Sequence, residues 1–308
     1  MKVVIGTLAV ILAALLGIVA ASCGVGRGAE SAGPVPTGAS GGDVAGTSGG
    51  STSIVSEGGS STSSGTQTMV RHEVWFTRGD SLFVVRREQP STPRIATAAM
   101  ESLLSGPSAR EQAAAVGSQI PAGTQLLGLT IEDEVATIDL TSEFESGGGS
   151  ASMNMRIAQV VYTLTQFPTV KGVLFELDGQ RVDVLGGEGI VVDEPVTRKG
   201  YRDLLPVILV VDPQIGTRVA NPVVVQGTAN VFEANVLVDI VDASGKVVES
   251  AFTTATCGTG CRGAFSVRVP YEVTSATRGL IIVHDDDAAG TGTPPHEVRI
   301  PVVLTPSS

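Results

Sequence analysis

A few residues in this sequence have the type and spacing to do chemistry. Cys257 and Cys261 stand four apart in CGTGC, between two runs that read as strands. Such a pair closes a short disulfide, or serves as a redox or metal pair with Arg262 beside it. A metal needs further ligands, and His72, His284 and His296 are not arranged to supply them. The structural disulfide is favoured in an oxidising compartment, and so short a loop gives it only ~2 kcal/mol. His284-Asp285-Asp286-Asp287 is the densest polar cluster. Oxygen-rich runs can hold calcium, but the EF-hand spacing, its Gly and its distal Glu are missing. A solvated loop is the better reading, with His296 able to approach it. Gly147-Gly148-Gly149-Ser150 precedes an expected helix, whose first amides could hold an anion. No P-loop or dinucleotide spacing accompanies it, so a loop with Ser150 as helix cap is preferred. Gly186-Gly187-Glu188-Gly189 reads as a turn, and sequence cannot place Asp183 and Glu188 as a working carboxylate pair. Trp75, Phe76 and Phe83 could line a sugar-binding face but more often such strand residues are core. No GxSxG, HExxH or Cys/His pair is present. The sequence therefore nominates no catalytic residue, no metal ligand and no cofactor, and it identifies no ligand-binding residue.

The remaining cysteine has a different setting. Met1-Lys2 is followed by VVIGTLAVILAALLGIVAAS, Val3 to Ser22, and then by Cys23. A positive start, an apolar stretch and small residues before a cut describe a secretory signal. Small residues directly before a cysteine also resemble the lipobox of bacterial lipoproteins, although Ala20 stands where that motif usually has Leu. The resemblance implies a signal peptide over 1–22 and lipid attachment at Cys23. An uncleaved membrane helix and free secretion are the alternatives. From Gly24 to Thr68 the chain is almost wholly Gly, Ser, Thr, Ala and Pro. Such a segment cannot bury enough apolar area to offset its ordering entropy, so 23–69 is expected to be a tether. As a flexible coil of about 45 residues it would span roughly 35–40 Å.

The net charge of −11 and the absence of any Lys/Arg run with interleaved aromatics argue against nucleic acid. A glycan, a peptide or a protein partner is easier to accommodate.

Beyond the tether, 70–192 reads as an α+β domain in which two helices cover one face of a sheet. HEVWFTRGDSLFVVRRE gives two strands around Gly79-Asp80, and Thr92-Pro93 starts a helix whose face holds Ile95, Ala98, Ala99, Ser102 and Leu103. LLGLTIEDEVATIDLT gives two more strands, turning at Glu132-Asp133-Glu134, with Ala136, Ile138 and Leu140 on one face. A second helix, roughly 151–166, buries Met153, Ile157, Val160, Val161 and Leu164, and a hairpin turns at Asp178-Gly179. Residues 193–204 read as a linker. Over 205–306 seven strand-like runs, separated by turns such as Ala243-Ser244-Gly245, argue for an all-β immunoglobulin-like sandwich.

AQVVYTLTQFPTVKGVLFELDG, Ala158 to Gly179, resembles the hallmark of the GerMN domain, and IDLTSEF, Ile138 to Phe144, resembles that family too. NPVVVQGTANVFEANVLVDIVDASGKVV, Asn221 to Val248, resembles the immunoglobulin-like domain of bacterial spore germination. The matched positions are mostly core and turn, so they identify folds and carry no catalytic constellation. The resemblance implies a non-enzymatic cell-envelope lipoprotein, related by family to sporulation and germination, on the outer face of the cytoplasmic membrane. It would bind peptidoglycan or another wall component; alternatively it would be a protein–protein assembly adaptor, with exposed sheet edges as one route to a partner.

Overall fold

The chain was examined as a computed structural model, which describes residues 68–286 and 296–307. The expected leader over 1–22, Cys23, nearly all of the tether over 23–69, and Asp287 lie outside the described residues.

Strands β1 (Met69–Arg78) and β2 (Ser81–Pro90) form a long hairpin that closes Arg78 against Ser81, at the expected turn. Helix α1 spans Ile95–Leu104. It starts two residues later than Thr92-Pro93 suggested, because Thr92 accepts from the Arg94 amide (3.2 Å) and shapes the turn before the helix. Its buried face is Ala96, Ala99, Met100 and Leu103, rotated from the expected one, with Ile95, Ala98 and Ser102 half-buried. A short helix, α2 (Ala109–Ala113), follows behind a capping box: the Ser108 hydroxyl accepts from the Glu111 amide, and the Glu111 carboxylate accepts from the Ser108 amide.

Strand β3 (Val116–Gly117) joins the end of β1. Strands β4 (Leu126–Glu132) and β5 (Val135–Leu140) then form a hairpin whose turn residues, Asp133 and Glu134, both have positive φ. This is the backbone of a primed two-residue turn. The alternation expected in β5 is present, with Ala136, Ile138 and Leu140 fully buried. Helix α3 (Ser150–Leu164) carries the chain across to β6 (Gly172–Leu177), which pairs parallel with β5. Its N-cap is Gly149, not Ser150, and no side chain caps it. Strand β7 (Gln180–Arg181) closes the hairpin at Asp178-Gly179, both of positive φ. Strands β8 (Val184–Leu185) and β9 (Ile190–Val191) form a small hairpin around the Gly186–Gly189 turn.

The strands of this module divide into separate sheets, β2-β1-β3, β4-β5-β6-β7 and the β8-β9 ribbon. The reason lies in α3. Apart from its short pairing with β3, the free edge of β1 is met by polar side chains of the helix instead of by another strand. Gln166 accepts from the Glu73 amide (2.6 Å) and donates to the Glu73 carbonyl (2.7 Å), and Thr163 accepts from the Trp75 amide (3.1 Å). Gln159 donates to the Trp75 carbonyl (3.1 Å) and accepts from the Gln119 amide (2.9 Å). Gln159 and Thr163 stand at helical spacing on one stripe of α3, Gln166 follows just past its end, and together they satisfy the edge groups a strand would have satisfied. The opposite side of the helix holds the expected Met153, Ile157, Val160, Val161 and Leu164, all buried.

Residues 193–204 are folded onto this module. Val196 bridges Val173, and the turn Arg198–Leu204 buries Tyr201, whose hydroxyl pKa burial pushes up to about 12.

The second module is a sandwich. Its strands are β10 (Ile208–Asp212), β11 (Arg218–Val219), β12 (Val223–Ala229), β13 (Asn235–Val241), β14 (Val247–Thr254), β15 (Gly263–Val269), β16 (Thr277–His284) and β17 (Glu297–Leu304). One sheet runs β10-β12-β15 and the other β11-β17-β16-β13-β14. Alternating residues such as Val225, Val236, Val238, Ile240, Ile281, Val283 and Ile300 form the shared core. Gly227 is needed where it stands, because a Cβ there would meet the Leu209 carbonyl and the Phe265 ring. Buried Tyr271 donates to the Val219 carbonyl (3.1 Å) and accepts from the Thr305 amide (3.1 Å), pinning the last strand.

The described residues form one compact unit. Within it the modules touch through Arg86, whose amide donates to Gln214 (2.9 Å) and whose guanidinium faces Asp212 (3.5 Å). Arg78 donates to the Arg299 carbonyl (2.9 Å) and Arg110 to the Gly216 carbonyl (3.1 Å).

Candidate functional site

The residues singled out from sequence do not converge on one place. Cys257 and Cys261 are joined as a disulfide in the connection between β14 and β15. The loop around them is docked on a neighbour: the Thr259 amide donates to the Val231 carbonyl (2.9 Å) and the Gly260 amide to Asn230 (3.0 Å). Arg262, the side chain that gave a redox reading some weight, points its guanidinium at the carbonyls of Pro206 (2.5 Å) and Thr228 (3.3 Å). It fastens this connection to the start of β10 and the end of β12, in the sheet that β15 joins.

His296 approaches the acidic cluster as expected, whereas His284 turns to Asp239, outside it. His296 Nδ1 lies 2.9 Å from Asp285, and His284 Nε2 lies 3.4 Å from Asp239. Among the described residues no group of three His, Cys, Asp or Glu side chains has metal-binding geometry.

The Gly147–Gly149 loop is occupied by the protein itself. Arg156 donates to the Phe144 and Gly147 carbonyls (both 2.7 Å) and to the Ser152 hydroxyl (3.3 Å). Glu145 accepts from the Gly186 amide (2.7 Å), and Glu188 lines the same small cavity. Two carboxylates beside the first turn of α3 stand where an anion would have to come, which removes the appeal of that reading. Asp183 faces Arg181 (3.9 Å).

Trp75, Phe76 and Phe83 are buried, so they are core and present no sugar-stacking face. Trp75 packs on Tyr162 with ring centroids 4.7 Å apart. Arg198 lies over both rings, 5.5 Å from Trp75 and 4.6 Å from Tyr162. This stack was not foreseen: the arginine arrives from a segment that read as a linker.

Sequence reasoning also missed the pairing of half-buried Arg87 with buried Glu111. The guanidinium makes two bonds to the carboxylate, at 2.5 and 2.7 Å. Burial pushes the Glu111 carboxyl up, but Arg87 and the Ser108 amide outweigh it and leave the group below its ordinary value. The signal was present in Ser108-x-x-Glu111, a capping-box spacing. His72, cross-strand neighbour of Arg87, is buried with neither ring nitrogen bonded. Burial first, and then the Arg87 charge, holds its pKa below the ordinary value.

Among the described residues, two of the surfaces left open differ in chemistry. The outer edge of β14 is one: Phe252 is 74% exposed there, with Val247 also exposed. The other is a polar cleft of about 500 Å³ beside β1 and β2, lined by three arginines.

The fold defines two modules in series, an α+β unit and an immunoglobulin-like sandwich. Residues 62–183 match the family model described as sporulation and spore germination, and residues 207–291 match the immunoglobulin-like domain of bacterial spore germination. The chain thus carries a GerMN domain followed by the germination-type immunoglobulin-like domain. The second match stops short of β17, although β17 pairs with β16 and β11 inside the larger sheet.

Among solved structures, the first GerMN domain of the sporulation protein GerM from Bacillus subtilis is similar at 23% identity and a TM-score of 0.36, over 42% of this chain and 98% of that one. The tandem GerMN domains of the same protein are similar at 14% identity and a TM-score of 0.39, over 78% of this chain and 61% of that one. No curated protein matches the chain.

Proposed function

We propose that this chain is a lipid-anchored envelope protein whose two domains act as a binding module for peptidoglycan or another wall component. The observation that carries the reading is how the GerMN domain uses its buried polar side chains. Gln159, Thr163, Arg156 and Glu111 are all inside, and the hydrogen bonds they make go to the protein's own backbone and side chains. Such groups fix a shape, whereas a site for chemistry presents them to a cavity. The pairing of two germination-type domains supports an envelope role, and the leader, Cys23 and the long Gly/Ser/Thr tether support display outside the membrane.

The exposed β14 edge favours a second reading, an assembly adaptor that takes a partner's strand. The experiment is a pull-down with the full chain against isolated peptidoglycan and against detergent-solubilised envelope, read by mass spectrometry. Saturable retention on peptidoglycan with no enriched protein supports wall binding. One enriched envelope protein, lost on Phe252→Lys and with nothing held on the glycan, overturns it in favour of the adaptor. Lipid attachment is tested separately: a fatty-acid label on the wild type should vanish in Cys23→Ala.

A further inference from the structure

We propose that the arginine-lined cleft beside β1 and β2 is a binding site for a small oxyanion, a carboxylate or phosphate group, with Arg198 as its anchor. The cavity of about 500 Å³ has Arg71, His72, Glu73, Arg86, Gln166 and Arg198 among its lining residues, in a chain whose net charge is −11. Positive charge is concentrated here against the overall sign of the protein.

Arg198 is held rigidly. Its Nε donates to the Thr165 hydroxyl (2.8 Å), one Nη donates to the Tyr162 carbonyl (2.7 Å), and its plane lies over Tyr162 and Trp75. Among the described residues it makes no ion pair. A half-buried guanidinium stays charged, and the hydrogen bonds of this one go to neutral acceptors, with the Glu73 carboxylate near but not paired to it. An oxyanion would supply the charge-assisted bonds that it lacks.

Arg71 and Arg86 have carboxylate partners: Arg71 bonds Glu88 twice (3.0 and 2.6 Å) in the solvent, and Arg86 meets Asp212 at longer range. The Arg71–Glu88 pair is more than half exposed on both sides, and Arg86 stands 3.5 Å from Asp212. Exposed pairs of this kind are worth little, so both guanidiniums can turn to a ligand at small expense. Glu73 adds a carboxylate to the wall of the cleft. It disfavours a bare anion and favours one with a hydrogen-bond donor beside it, as in an N-acylated peptide. A peptide carboxylate of the wall would satisfy both demands; that step alone rests on the wall-binding reading.

Trp75 is the only tryptophan and reports directly on the Arg198 stack. The full chain is titrated at low ionic strength with muramyl dipeptide, with sodium phosphate, and with sodium chloride at matched ionic strength, following Trp75 fluorescence. The expected result is a saturable change with an oxyanion and none with chloride, weakened at least tenfold by Arg198→Gln and by Arg86→Gln. Arg268→Gln, an exposed arginine on β15, should leave it unchanged. Arg86 touches neither ring, so its variant keeps the test sound if Arg198→Gln disturbs the stack. Saturation by muramyl dipeptide marks a wall-peptide carboxylate as the source, and saturation by phosphate alone marks a phosphate-bearing ligand. An equal response to chloride, or a titration that both cleft variants leave intact, overturns the site. Phosphate binding with no retention on peptidoglycan would keep the cleft and sink the wall reading.

Discussion

Replacing Gln159 by Leu should destabilise the GerMN domain by about 2–4 kcal/mol, although the two side chains are similar in size. Gln159 is fully buried and makes three bonds: to the Trp75 carbonyl, to the Ser118 hydroxyl (3.1 Å) and from the Gln119 amide. Leucine fills the space but leaves a backbone carbonyl and a backbone amide without partners and without water. Each such group costs about 1–3 kcal/mol, and the better burial of an apolar side chain offsets part of the sum. Thr163→Val is the sharper control, since it keeps the shape and removes only the acceptor of the Trp75 amide, for about 1–2 kcal/mol. Gln166 is only half-buried, so water can replace its bonds and Gln166→Leu should cost less. The assay is urea unfolding followed by Trp75 fluorescence, which reads this domain alone among the two. If Gln159→Leu and Thr163→Val both lie within 0.5 kcal/mol of the wild type, the helix does not stand in for a strand and the account of β1 fails.

Stability should fall with acid in two stages. The folded pKa of His72 lies below its ordinary 6.5, so its contribution is complete above about that pH and is lost as pH falls, because the unfolded chain takes up the proton first. The folded pKa of Glu111 lies below its ordinary 4.5, so its contribution is present above that value and is lost as pH falls through the folded pKa. Melting temperature against pH should lose the first stage in His72→Phe and the second in Glu111→Gln. Removing the disulfide with Cys257→Ser and Cys261→Ser should cost ~2 kcal/mol, the loop being short, and leave the Trp75 transition in place. Ser108→Ala should cost about 0.5–2 kcal/mol by opening the capping box, measured by the same unfolding curves.

Turns were the most legible part of this sequence. Asp178-Gly179 and Gly79-Asp80 each close a hairpin where the residue types required it, because positive φ is cheap only for a few residues. Strands of the second module were equally legible, since one face of each is core and the alternation is written directly in β12 and β13. Helix α3 was half legible. Its apolar stripe named the core, but nothing local says that a strand edge will lie against Gln159 and Thr163. The arginine stack was illegible for a related reason. Arg198 and Trp75 are far apart in sequence, and an arginine in a charged segment reads as solvated until the fold sets it on two rings. Pattern within an element reveals which side is apolar; it does not reveal which polar groups a neighbouring element has left unpaired.

The contrast between two strand edges bears on what the molecule is for. The edge of β1 is closed by three buried or half-buried polar side chains, an expensive solution that orders long residues in the interior. The edge of β14 carries none of the usual guards: its eight residues, VVESAFTT, include one charge, Glu249, and no Lys or Pro. It also leaves Phe252 in water, a side chain whose burial is worth roughly 1.5–3 kcal/mol. The same fold therefore closes one edge thoroughly and leaves another open and apolar. An edge kept open in this way is available for pairing, and its place in the second domain, across the sequence from the tether, sets it apart from the arginine cleft that the GerMN domain contributes. The two open surfaces differ in chemistry, one reading backbone and an aromatic ring, the other charge. A wall ligand at the cleft and a protein strand at β14 would not compete for the same atoms, so the proposed wall binding and assembly would be separable by variants at the two surfaces.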